Sequence, residues 1–581
     1  MKDGGLGEMI RHGPSRFRWN CRVSCRAVVL LVLLASIFRV WPVVHAEAFP
    51  QTIYIDANNV GDSDEDGSHG HPFDKIQEGV DAASPGDTVT VAPGTYYEEV
   101  VFSRNKSRIS LVGEGEAVID GEGRRNGIRV GVHLRLAFPP EYLDNVTITG
   151  FTVRNCVKGI TLMRCRHTCL RNNTMVGNLY NFADYSYQVN DVDTSNTANG
   201  KPIYYWVSEH DKQVPSDAGY VGLVNCRNII VKDLKLSNNG QGVLLKNTTF
   251  SRIENVSVFN NQDGIYLELE STNNTIICNT VSNNTLIGIY LSTSSDNIVS
   301  GNMITNNSYG VYLTTSYGTY ATLRDTLNNV VVDNHIEGHW KGVVLYGHGH
   351  NIITDNVVKG NEILNNTIGI STYLSAFNLI YHNNLVNNTN QVEYYESENI
   401  WDYMGEGNYW SDYDGADLDG DGFGDTSYVI DQENRDNFPL MGLFKSFKIV
   451  WDETTYFLDT ISSSVVSSFG FSQPEKLVAF DASTEGDEMS FCRVTLPEVV
   501  LGGPYHVLVG GSQAAYLIEN SNGTHAFLHF MYFGSDVRVE IFGETVIPEF
   551  SLVFLLPFLM VVTLFVVFLQ RKHLLKGKVD L

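Results

Sequence analysis

Asn255-Val-Ser-Val-Phe-Asn-Asn-Gln-Asp-Gly264-Ile-Tyr-Leu267 decides how the rest of the chain is read. Its closing motif, a glycine before a short apolar run, returns as Gly242-Val-Leu-Leu245, Gly288-Ile-Tyr-Leu291, Gly310-Val-Tyr-Leu313, Gly342-Val-Val-Leu345 and Gly369-Ile-Ser-Thr372. Its asparagine returns upstream of each glycine, as Asn255, Asn279, Asn302, Asn334, Asn356 and Asn383, with Asp233 in that place one unit earlier. These positions lie 22, 24, 23, 32, 22 and 27 residues apart. A short, nearly constant period with occasional insertions marks a solenoid.

The residue types say which solenoid. Each unit consists of Ile, Val, Tyr and Leu runs cut by Asn-Asn or Ser-Asn, and β-branched runs bounded by turn residues are strands. No unit has room for a helix beside its strands. At ~3.3 Å per residue a unit closes into roughly three short strands, and successive coils stack at ~4.8 Å. The fold class expected is therefore all-β, a parallel β-helix solenoid. An asparagine column at one corner is a structural device there, because an amide both donates and accepts hydrogen bonds up the stack.

The chain has 581 residues and a formal charge of −26, from 40 basic and 66 acidic residues. Residues 1–46 and 571–581 hold 11 of the basic residues and few acidic ones, so the middle is more acidic still. Such a surface repels nucleic acid and favours cations.

Both ends read as export signals. Arg11, Arg16, Arg18, Arg22 and Arg26 precede the apolar run Ala27 to Phe38, and Val44-His45-Ala46 suits a signal peptidase. Residues 1–46 are thus a signal peptide or an uncleaved anchor. The run 550–569 is long and apolar enough for one transmembrane helix. Arg571, Lys572, Lys576 and Lys578 follow it, which places the tail 570–581 in the cytoplasm and the acidic bulk outside, at the cell surface. Asn105, Asn172, Asn247, Asn283, Asn365 and Asn522 open glycosylation sequons. Cys156, Cys165, Cys169 and Cys226 either pair as disulfides between neighbouring coils or fill the interior as free thiols.

Phe73 to Ala83 has helical spacing, with Ile76, Val80 and Ala83 on one face, and suits a plug on the open apolar end of the first coil. The β-helix is expected over 47–445. Past Leu440 the asparagine pairs stop, and about seven short strands over 446–545 suggest a small β-sandwich serving as a stalk.

The run Ile76-Gln77-Glu78-Gly79-Val80-Asp81-Ala82-Ala83, with Pro85-Gly86-Asp87-Thr88-Val89 and Pro93-Gly94-Thr95-Tyr96, resembles the opening of right-handed parallel β-helix proteins. The asparagine-rich coils are similar to the NosD-type and carbohydrate-binding/sugar-hydrolase branch of that group. Asn408-Tyr-Trp410-Ser-Asp412-Tyr413 and the closing Pro548-Glu549-Phe550 resemble segments of exported, membrane-anchored archaeal proteins of this type. The resemblance covers about residues 50–445. It implies a right-handed coil and leaves activity open, since the fold carries lyases, hydrolases, binding proteins and adhesins.

Five groups of residues are candidates for function. The repeat breaks at about 178–220, and Tyr204, Tyr205 and Trp206 in that insertion either stack on sugar rings or fold back into a loop core. Asp417, Asp419, Asp421 and Asp425, with Gly422 and the carbonyl of Phe423, follow a calcium-loop spacing, with Asp412 or Asp431 to complete the shell. The alternative is a solvated acidic turn. Asp62, Asp64 and Asp66 form a weaker copy. His335, His339, His348 and His350 fall in one coil and offer imidazoles for copper, without a Met-rich or Cys-rich pattern. Asp333 and Asp355 align one above the other as a carboxylate pair for a hydrolase, or as two turn acids. The function expected is a membrane-anchored surface protein that binds glycans and is stiffened by calcium. A polysaccharide lyase or glycoside hydrolase, and copper handling, are the alternatives.

Overall fold

The structure is a computed structural model. It describes residues 50–547, apart from 104, 132–141, 316–325, 350, 452, 485, 487–488 and 515, together with 559–569. The expected signal peptide, residues 550–558 and the cytoplasmic tail lie outside the described residues. Residues 559–569 are helical and exposed. Among the described residues no helix is long and apolar enough to cross a membrane.

Parallel strands stack in two consecutive runs of coils. The first begins with the strand Thr52–Ile55, which pairs in parallel with Thr88–Val91, then Ser110–Asp120, then Thr147–Arg154. A second sheet of this run joins Val100–Phe102, Ile128–Val130, Lys158–Met163 and Tyr180–Tyr185. The helix Ile76–Ala82 plugs the open end, burying Ile76, Gly79 and Val80. A Cβ on Gly79 would stand 2.4 Å from Ile55 Cδ1, so the helix sits against the first strand at a distance only glycine allows.

The second run is the one built on the repeat. Its sheet A runs from Lys201–Val207 and Tyr220–Val224 through Gln241–Lys246, Asp263–Glu268, Ile287–Ser292, Tyr309–Thr314, Lys341–Tyr346 and Ile368–Tyr373 to Asn390–Tyr395. Sheets B and C use three-residue strands, such as Thr275–Ile277 and Thr280–Ser282. The interior is a single apolar column, with Ile265, Ile289, Val311, Val343 and Ile370 fully buried above one another. The repeated glycine is explained by its neighbour. A Cβ on Gly264 would lie 2.3 Å from the Gly288 carbonyl oxygen, and one on Gly310 2.5 Å from that of Gly342.

The asparagines form three ladders, one per corner, where the repeat led us to expect one. The first passes through Asn274, Asn297, Asn329, Asn356, Asn378 and Asn399, the second through Asn279, Asn302, Asn334, Asn361, Asn383 and Asn408. The third joins Asn261, Asn284, Asn307, His339, Asn366 and Asn388. Between successive asparagines, Oδ1 accepts from the backbone amide and the side-chain amide of the coil before, and Nδ2 also donates to a backbone carbonyl; Asn399, at the end of the first ladder, gives its Nδ2 to Ser375 Oγ instead. Asn356 therefore belongs to a different corner from Asn334. Asn255 belongs to none of the three: it is exposed, in the left-handed region at φ 51°, with Nδ2 bonded to Asp233. Asp436 ends the second ladder, accepting from the Asn408 amide and from Trp410 Nε1.

The segment expected as an insertion over 178–220 builds coils instead. Tyr180–Tyr185 closes the second sheet of the first run, Asp191–Val192 and Thr197–Ala198 add parallel strands to its first sheet, Lys201–Val207 opens sheet A, and the corner residue Asn196 stacks on Asn173. Cys156, Cys165 and Cys226 are buried free thiols.

Beyond the coils, two five-stranded antiparallel sheets face each other, with Leu458, Val494 and Phe530 of one packed against Phe480, Val539 and Ile541 of the other. This is the β-sandwich, with ten strands rather than about seven. It grips the last coils. The Asn384 side chain makes two hydrogen bonds to the Phe444 backbone, and Lys445 Nζ lies 3.0 Å from Glu362.

Candidate functional site

In the motif Gly-Ile-Tyr-Leu the two aliphatic residues point inward, so the tyrosine between them must point outward. Parallel pairing in register then stacks the outward residues of sheet A. Tyr266, Tyr290 and Tyr312 follow one another at ring-centroid distances of 4.5 and 5.7 Å. The column then steps sideways by two residues, a distance of 6.2 Å, to Tyr346. Tyr346, Tyr373 and Tyr395 continue as parallel stacked rings, 4.5 and 4.7 Å apart. Tyr309 and Trp340 widen the track on one side, with Trp340 half exposed. Between the two edges a polar group is held in place: Lys341 Nζ bonds Ser371 Oγ at 3.1 Å and pairs with Glu393, which also accepts from Ser371 Oγ.

One end of this track is closed. The last strand of the first run's second sheet, Tyr180–Tyr185, docks on the outer face of sheet A. Asn181 donates to the Asn238 carbonyl, the Tyr180 hydroxyl meets Thr285 Oγ1, and the Tyr185 hydroxyl donates to Asp263 Oδ2 at 3.3 Å. The Tyr185 ring stands 6.5 Å from Tyr266, so it extends the track into the wall. Two carboxylic acids flank Tyr266 on the same strand. Asp263 is 3% exposed, and burial pushes it up to about 7 against the opposing effects of the Tyr185 hydroxyl, the Ile287 amide and Lys158. Burial also pushes Glu268 to about 7, with Lys246 opposing and Asp184 reinforcing. Lys246, 1% exposed, lies 2.9 Å from Asp184 Oδ2 and 3.7 Å from Glu268 Oε1. A cavity of 410 Å³ opens beside this cluster, lined by Tyr187, Asn225 and Lys246 among others.

Tyr204, Tyr205 and Trp206 do not form a platform together. Tyr205 is buried between the two runs of coils, with its hydroxyl donating to Asp184 Oδ2 at 2.7 Å. Tyr204 and Trp206 alternate to the other side of the strand and pack on the interior of the second run, edge to face at 6.2 Å. The triplet joins the two runs, and the aromatic surface lies further along the same sheet.

Asp333 and Asp355 are not stacked. Asp333 precedes Asn334 at the second corner and Asp355 precedes Asn356 at the first. The position above Asp333 is Gly360, whose added Cβ would lie 2.6 Å from Asp333 Oδ1. This removes the expected carboxylate pair.

At the far end of the coils the carboxylate oxygens of Asp417, Asp419 and Asp421 come within 4.8 Å of one another. Asp417 curls the loop around itself, accepting from the amides of Gly420, Asp421 and Gly422, and Asp425 accepts from the Leu418 amide. Burial, with repulsion from Asp419 and Asp417, raises Asp421 above the ordinary carboxylate range. The Phe423 ring lies 4.2 Å from the Arg493 guanidinium of the sandwich. Asp62 turns to His71 and Asp66 to the Ser68 amide, so the weaker copy does not gather its acids.

The histidines are spent within the coil. His339 takes an asparagine's place in the third ladder: Nδ1 accepts from the Asn307 amide and Nε2 reaches the Ile304 carbonyl. His335 is held by Glu362 and Glu337 through its two nitrogens. His348 sits edge-on to Tyr346, and His350 lies outside the described residues.

A family model described as periplasmic copper-binding protein (NosD) matches residues 184–326 and 317–415. No curated relative matches the chain. Among solved structures, the A-module of a mannuronan C-5 epimerase from Azotobacter vinelandii is 14% identical, covering 56% of this chain and 95% of its own, with a TM-score of 0.24. The tailspike protein of E. coli bacteriophage HK620, solved with a pentasaccharide, is 12% identical over 82% of this chain and 92% of its own, with a TM-score of 0.29. The Dettilon tailspike is 12% identical over 84% and 93%, with a TM-score of 0.27.

Proposed function

We propose that this NosD-like parallel β-helix protein binds a linear glycan along the outer face of sheet A and displays that face at the cell surface. The observation that carries the reading is the aromatic track from Tyr266 to Tyr395, with Trp340 at its edge. Sugar rings present C–H faces that stack on aromatic rings, and hydroxyls that hydrogen-bond to fixed polar groups such as the Lys341–Ser371–Glu393 cluster. The coil spacing of ~4.8 Å repeats aromatic groups at about the length of one pyranose residue. An extended polymer therefore meets similar contacts at successive residues.

In this proposal residues 1–46 direct export, the run 550–569 anchors the chain in the membrane with its tail in the cytoplasm, and the sandwich is a spacer. The oxygen set of Asp417, Asp419, Asp421, Phe423 and Asp425 suits calcium, which prefers several hard oxygens in a flexible loop. Calcium held there would bring the loop's charges together beside Arg493 and stiffen the coil's attachment to the sandwich. Copper fits less well. His335 and His339 are engaged through both ring nitrogens, and the buried cysteines are not gathered with them. A test is binding of oligosaccharides of increasing length to the full chain in detergent. Affinity that grows with length supports the track, and affinity that is independent of length, or absent, refutes it.

A further inference from the structure

We propose that the closed end of the aromatic track selects an anionic sugar, one carrying a carboxylate or a sulfate, and that Lys158 is the residue that recognises it. The proposal rests on the glycan reading above and names the chemical class of that glycan. Lys158 opens the strand Lys158–Met163 in the wall formed by the first run of coils. Its ammonium lies over the Tyr185 ring, 5.4 Å from the centroid, and Tyr185 leads into the track through Tyr266 at 6.5 Å.

The other lysines of this face are already paired. Lys246 is locked by Asp184 and Ser186, and Lys341 by Glu393 and Ser371. Lys158 is half-buried, and its ammonium makes no hydrogen bond or ion pair with any described residue. An amine stripped of part of its water and given no acceptor is costly. A ligand oxyanion would supply the missing partner through a charge-assisted bond. The Tyr185 and Tyr266 rings would hold the sugar in the same place. On a chain of net charge −26 an anion is repelled elsewhere, so recognition must come from a local, unneutralised cation.

Asp263 makes the site sensitive to pH. It faces Lys158 and Tyr185 from the first run, the Ile287 amide from the next coil and Tyr266 on its own strand. Protonated, it leaves the charge on Lys158 free to meet an anion. Ionised, it competes for that charge. Anion affinity should therefore fall as pH rises through about 7.

The experiment uses the full chain in detergent with two matched pairs of polymers: polygalacturonate against its fully methyl-esterified form, and dextran sulfate against dextran. The charged member of at least one pair should bind more tightly, and Lys158→Gln should weaken it by about tenfold or more. The same change should leave the neutral member's binding unaltered, and Lys158→Arg should keep most of the preference. Preference for the uronate identifies a carboxylate sugar, and preference for dextran sulfate a sulfated one. Equal binding within both pairs, unchanged by Lys158→Gln in a variant with wild-type circular dichroism, overturns the assignment while the glycan reading stands. Failure of every polymer to bind overturns both, and Trp340→Ala, which should weaken any polymer that binds, tells the two failures apart.

Discussion

Asn334→Ala removes one rung from the second ladder, and its cost follows from what that side chain holds. Oδ1 accepts from the Asn302 amide at 3.0 Å and from Asn302 Nδ2 at 2.9 Å; Nδ2 donates to the Val299 carbonyl at 2.9 Å and to Asn361 Oδ1 at 3.0 Å. Asn334 is 1% exposed and Asn302 likewise, so water cannot replace what is lost. Each buried group left without a partner costs about 1–3 kcal/mol. Two orphaned donors on Asn302 therefore put the loss at about 2–6 kcal/mol. Asn255→Gly is the matched control. Asn255 lies in the same sequence context, but it is exposed and bonds only Asp233, and glycine tolerates its positive φ. That change should cost no more than about 0.5 kcal/mol. Urea unfolding of the two variants measures the difference as a shift in midpoint at constant m-value. Equal shifts for the two would refute the argument that the buried corners carry the stack.

Three further outcomes follow from the same structure. His339→Asn should be stable, because the amide supplies the same acceptor and donor; the wild type should lose stability on acidification below about 6.5, as its buried neutral imidazole is forced to protonate, and the variant should lack that loss in a pH series of thermal melts. Asp263 and Glu268 shift the other way. Their protons are held up to about 7, so the stability they contribute is full below the ordinary carboxylate range and falls as pH rises towards 7, and Asp263→Asn with Glu268→Gln should flatten that fall. Calcium at a hundredfold excess over its Kd should stabilise the chain by about 2.7 kcal/mol, an increase that Asp419→Asn with Asp421→Asn abolishes; no rise in melting temperature with calcium leaves an acidic turn.

The coils were legible because one chemical rule repeats: an outward turn residue, an inward aliphatic pair, and a glycine where backbones nearly touch. The helix Ile76–Ala82 was legible for a similar reason, its apolar face having only one place to go. The ladder register was not. Asn274, Asn279 and Asn284, and again Asn297, Asn302 and Asn307, recur every five residues. A shift of one corner leaves this pattern intact, so Asp333 and Asp355, which precede asparagines of different corners, fall into one apparent column. Tyr266, Tyr290 and Tyr312 were visible as strand formers, and the signal that would have found the track is their position two residues after each glycine. Tyr204, Tyr205 and Trp206 misled in the opposite sense: adjacent aromatic residues on a strand face opposite ways, and the first run of coils covers one of those faces. The contact of Lys158 with Tyr185, and that of Lys246 with Asp184 and Glu268, join residues far apart in the chain. Nothing local in the sequence announces them.

The measurement that bears most directly on the glycan track is binding of a long linear polysaccharide to the wild type, Trp340→Ala and Tyr373→Ala. Both rings lie on the outer face of sheet A, away from the apolar interior, so folding should be unaffected. The account predicts that each variant keeps the wild-type melting temperature and loses about 1–2 kcal/mol of binding, roughly a five- to thirtyfold rise in Kd. Unchanged affinity in both variants would contradict it.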